Sequence, residues 1–165
     1  MRKLLCIIVV FTLVMGCKNS DGLSNENEST ELVFNYQKMP KKFVMNPEAT
    51  AILEEWVEFR DLTSSFDVLY KAKNNEDLIL AIDDLIEKEK LLYKAEFPEP
   101  FDELQIKSRL RVLKTYMLKV KASILNHMDA TQPTIEMLTA YNALRKQFNV
   151  VMNSQLDKKM ILNEN

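Results

Sequence analysis

From Leu23 to Asn165 the chain contains no glycine; its only two, Gly16 and Gly22, lie near the front. Tight hairpins, phosphate-cradling loops and dinucleotide turns use glycine for positive φ or for close backbone approach. That set of folds and functions is therefore excluded for most of the 165 residues. One histidine, His127, and two cysteines, Cys6 and Cys17, also leave little material for metal sites or histidine-dependent acid–base chemistry. No cofactor is expected.

Helix punctuation is clear from Asn46 onward. Asn46-Pro47-Glu48 supplies a cap, a proline at the first helical position and an acid in the first turn. Asn75-Glu76-Asp77 follows the same logic, and Thr131-Gln132-Pro133 does so more loosely. Pro98 and Pro100 break the chain between the second and third segments. These signals predict helices over about 47–73, 76–96, 101–129 and 133–159. Each carries an apolar seam at alternating steps of three and four. The first runs Ile52, Trp56, Phe59, Thr63, Phe66 and Tyr70; the second runs Leu78, Ile82, Leu85 and Leu92, interrupted by Glu89. The third runs Ile106, Leu110, Leu113, Met117, Val120, Ile124 and His127, and the fourth Met137, Tyr141, Leu144, Phe148, Val151 and Gln155. Steps averaging 3.5 with short connections predict an all-α fold, an antiparallel up-down-up-down four-helix bundle over residues 47–165.

Ahead of this unit, Arg2 and Lys3 precede an apolar run from Leu4 to Met15, which ends at Gly16 and Cys17. Twelve residues are too few to span a bilayer as a helix and suit the hydrophobic part of a secretory signal. Leu13-Val14-Met15-Gly16-Cys17 resembles the lipobox of a bacterial lipoprotein signal peptide. The resemblance implies removal of residues 1–16, lipidation of Cys17, and anchoring to a membrane by two or three acyl chains. Cys6 would leave with the signal, so no disulfide is expected. Loss of Arg2 and Lys3 from 22 basic residues leaves 20 against 24 acidic ones, which argues against a nucleic-acid partner. Lys18 after the cysteine is not the aspartate that resembles an inner-membrane retention signal. Outer-membrane sorting facing the periplasm is expected, with the cell surface as the other option. Residues 17–46 are expected to form the lipidated cysteine, a flexible polar tether over 18–31, and an apolar arm over 32–45. That arm either packs across the helices or docks a partner.

Several residues invite a chemical role. His127 closes the third seam. Haem-binding bundles of the cytochrome b562 type pair a methionine near the start of the first helix with a histidine near the end of the last. Met45 and His127 would instead sit at opposite ends, about 40 Å apart. A histidine interacting with its helix C-terminus is the plainer expectation. Ferritin-like metal chemistry needs Glu-x-x-His, but Ile124 stands three before His127. Glu89 on the second seam either reaches water, lines a cavity or pairs with a base of the third helix. Lys107, Arg111, Lys114 and Lys121 form one basic face, to meet an anionic partner or the acidic second helix. Small helical periplasmic chaperones of the Spy/CpxP type carry Leu-Thr-x-x-Gln; Leu62-Thr63 and Leu138-Thr139 lack the glutamine. No nucleophile–base–orienter set can be assembled, so no enzyme is expected. The sequence leads to a membrane-anchored, non-enzymatic binding or scaffold module with an envelope protein as partner. A helical chaperone or ligand-sequestering protein is the alternative.

Overall fold

The structure, a computed structural model, describes residues 39–163. Among these it is all-helical, with no strand: α1 (Pro47–Glu55), α2 (Val57–Leu69), α3 (Asn75–Lys94), a 3-10 turn (Glu99–Phe101), α4 (Leu104–Leu125) and α5 (Thr131–Asn163). Asn46 caps α1 as expected, its side chain accepting from the Ala49 N–H at 2.9 Å.

The expected first helix over 47–73 is in fact two helices that part at Trp56, and the second of them ends at Leu69. No glycine or proline forces the break. Burial explains it. Ala49 and Leu53 are buried before the break, and Phe59, Leu62, Phe66 and Leu69 after it. At 3.6 residues per turn, one uninterrupted helix would set Leu53 and Leu69 about 160° apart, on opposite faces. Turning the chain at Trp56 (φ −83°, ψ 99°) puts both stripes into one core. The Trp56 carbonyl accepts from Arg60 N–H at 3.0 Å to open α2. Arg60 Nη1 reaches back to the Glu54 carbonyl at 3.2 Å and satisfies a C-terminal group of α1.

The other boundaries shift for local reasons. Asn74, not Asn75, caps α3: its side chain accepts from Asp77 N–H at 2.7 Å, and Asp77 accepts from Lys73 N–H at 3.2 Å. Pro98 and Pro100 confine residues 99–101 to a single tight turn, so α4 starts at Leu104. It stops at Leu125, short of the expected 129. The Met128 N–H bonds to the Ser123 carbonyl and the His127 N–H to the Ile124 carbonyl, a Schellman closure. That closure needs a left-handed residue, and a segment without glycine provides His127 at φ 54°. Helix α5 starts at Thr131, where the hydroxyl and N–H of Thr131 hold the Asp129 carboxyl below its usual range.

The seams of α3, α4 and α5 form the core: Leu78, Ile82, Leu85 and Leu92 meet Ile106, Leu110, Leu113, Met117 and Val120, with Met137, Tyr141, Leu144 and Phe148. Aromatic rings bridge α2 and α5. Phe66 stacks on Tyr141 with centroids 3.7 Å apart, and Phe59 meets the edge of Phe148 at 5.1 Å. Such pairs add about 0.5–1.5 kcal/mol each beyond their burial. The Tyr141 hydroxyl donates to Thr63 Oγ1 at 3.1 Å, so its polar tip is satisfied inside the core.

Candidate functional site

Cys17 and the tether lie outside the described residues. No described helix is long and apolar enough to cross a membrane. His127 is exposed beyond the end of α4, not on the core seam as the heptad count suggests. The seam ends one turn earlier because the Schellman closure turns the chain away. Glu89 does not reach water: it is 1% exposed, and Lys114 Nζ stands 2.9 Å from its Oε2, a charge pair without hydrogen-bond alignment. A carboxylate this deep needs a counter-charge, and Lys114 brings one from the half-exposed edge. The remaining basic row is also engaged. Lys121 pairs with Asp83 at 2.7 Å, Lys107 pairs with Asp102, and Arg111 Nε donates to the Tyr93 hydroxyl at 3.0 Å. The face meets the chain's own acidic helix and connecting loop. No group of three or more potential metal ligands occurs among the described residues.

The part of the arm that the structure describes, 39–46, is an extended strap along α5. Asn142 binds its backbone at both ends of one amide: Oδ1 accepts from Phe43 N–H and Nδ2 donates to the Lys41 carbonyl, each at 2.8 Å. Arg145 Nε donates to the Phe43 carbonyl at 2.7 Å, and Asn149 accepts from the Asn46 N–H at 3.0 Å. Asn142, Arg145 and Asn149 recur at steps of three and four, so one stripe of α5 reads the strap. Tyr70 donates to the Pro40 carbonyl at 3.0 Å. Burial, then the neighbouring Tyr141 and Asp67, push its hydroxyl pKa up, so it remains a donor.

The other end of α2 is less complete. Where α1 turns into α2 and α3 gives way to the proline-bounded loop, an open groove of about 640 Å³ is left. Trp56 and Phe97 are its aromatic lining, with ring centroids 4.8 Å apart. Glu55, Glu96 and Glu99 stand around it, all exposed, and none has an ion-pair partner within 4.0 Å among the described residues. Trp56 is 5% exposed, and its indole N–H has no acceptor among the described residues. Leaving such a donor unpaired costs about 1–3 kcal/mol. The Lys107 ammonium, which does not line the groove, lies 5.1 Å from the centroid of the Phe97 ring.

From sequence alone Trp56 is one residue of a core seam, and the three glutamates belong to solvated faces. The only available signal is a run from Ala95 to Glu103 holding four acids and no base. Spacing arguments miss the groove because the kink that creates it breaks the periodicity on which they rest. Comparison with protein-family models, with curated proteins and with solved structures finds no match.

Proposed function

We propose that this chain is a lipid-anchored, non-enzymatic binding module of the bacterial cell envelope. Lipid on Cys17 would hold it to a membrane, through a flexible tether over residues 18–31. We also infer that α2, α3, α4 and α5 form an up-down-up-down four-helix bundle, with α1 as an added segment at one end. Cross-helix pairs support that order, because partner numbers fall as the first number rises. Asp61 and Ser65 meet Lys88 and Asp84, while Asp83 and Glu89 meet Lys121 and Lys114. Phe59 and Phe66 meet Phe148 and Tyr141 in the same sense.

The observation that carries the binding role is the position of the groove. The strap begins beside Tyr70 at one end of α2, and Trp56 marks the other end. About 20 Å separates the two along the helix. A protein held through its N-terminal side would present the groove outward, toward a partner in the periplasm. Outer-membrane placement fits Lys18 behind Cys17.

Photocrosslinking tests this reading. A photoreactive residue replacing Ala51, which lines the groove and is exposed, should give one discrete adduct in cells. A Cys17→Ser chain should lose both metabolic acyl label and adduct. Label that persists without Cys17 would overturn the anchor; the absence of any adduct would overturn the binding role. A second reading, the helical chaperone, rests on an apolar groove of about 320 Å³ between α4 and α5, lined by Val112, Tyr116, Ile135 and Ala140. It requires suppression of client aggregation that Val112→Lys abolishes.

A further inference from the structure

We propose that the groove at the α1–α2 turn docks a basic segment of a partner protein, with one lysine or arginine side chain seated against Trp56 and Phe97. This rests on the binding-module reading and names the chemistry of the partner.

Charge is the first argument. Glu55, Glu96 and Glu99 converge from α1 and from the loop after α3 onto one concave surface. The four bases of the α4 row each have an acidic or phenolic partner, yet these three acids have none within ion-pair distance among the described residues. Folding therefore leaves negative charge unanswered at this end, and a cationic partner would answer it.

The lining is the second argument. A cation over an aromatic face is attracted by the ring quadrupole, most strongly by tryptophan and more when partly desolvated. Trp56 is 5% exposed and offers the groove only part of its rim, so the half-buried Phe97 ring, tilted 57° to it, is the aromatic face an incoming cation would meet. Lys107 already places its ammonium near one face of Phe97, an internal instance of the contact proposed. A small inorganic cation would leave the apolar lining unused, whereas the methylene stem of a lysine or arginine would cover it. The buried Trp56 indole is the third argument. Its donor lacks an acceptor among the described residues, so a residue that lines the groove carries a polar group the fold leaves unanswered.

The chain reports on this site unaided, because Trp56 is its only tryptophan. The full chain would be titrated with hexalysine, and the indole emission followed. The expected result is a saturable change that hexaglutamate does not produce and that weakens as salt is raised. Glu96→Gln/Glu99→Gln should weaken hexalysine binding at least tenfold, and Glu76→Gln, at an exposed acid on the far end of α3, should leave it within twofold. Calorimetry on the same samples covers a binding event that leaves emission unchanged. Absence of heat and of emission change would overturn the inference, as would equal weakening by Glu76→Gln. If an adduct at Ala51 still forms in cells, the groove then docks a partner of other chemistry and the binding-module reading stands. If none forms, both fall.

Discussion

The α3–α4 seam and the α1–α2 turn are built from similar residue types and end in opposite states. Along the seam, charges are consumed by folding: Asp83 takes Lys121, Glu89 takes Lys114, and Tyr93 takes Arg111. At the turn, Glu55, Glu96 and Glu99 surround two aromatic rings and stay free of ion pairs among the described residues. A charged row on a helix is thus a poor guide to an interaction surface, since the row most visible in this sequence is already paired. Charge that matters for binding is charge that the fold leaves over.

Five variants test that contrast, in falling order of effect apart from the rescue of the first, which is placed beside it. Lys114→Met removes the counter-ion of a carboxylate that is 1% exposed, and should cost about 2–3 kcal/mol in urea unfolding. The double variant Glu89→Leu/Lys114→Leu should recover to within about 1 kcal/mol of the parent, because packing then replaces the pair. A harmless Lys114→Met would mean that the seam is not electrostatically closed. Asn142→Ala takes both amide contacts from the strap and should cost about 1–2 kcal/mol. Hydrogen exchange should then rise at Phe43, with Leu113 unaffected. His127→Gly relieves a left-handed non-glycine residue and should stabilise by about 1 kcal/mol. Glu96→Gln/Glu99→Gln should change stability by no more than about 0.5 kcal/mol. A larger loss would show that these acids serve the fold and are not held in reserve for a partner.

The helical class was legible from Asn46, Pro47 and the paired prolines, because capping and φ restriction act within a few residues. The seams of α3, α4 and α5 were legible too, since α3 from Leu78 to Leu92, α4 from Ile106 to Val120 and α5 from Met137 to Met152 each keep one face on the core. The break at Trp56 was not, because it comes from a conflict between stripes that appears only when both must face the same interior. Glu89 was ambiguous for a related reason: its burial depends on Lys114, which lies 25 positions away and on another helix. The groove was invisible because it combines α1 with the loop after α3, two segments distant in the chain. The strap was half visible: the apolar arm stood out, while the Asn142, Arg145 and Asn149 stripe that holds it read as ordinary helix surface.

The strap also has a mechanical consequence. Its bonds to Asn142, Arg145 and Asn149 run crosswise to its own direction and are spaced along α5. A pull on Met39 directed along the strap would load them in parallel, as shear. Yield would require several bonds to fail together, whereas a pull directed outward would part them one at a time. The same attachment is therefore stiff to traction along one axis and compliant across it.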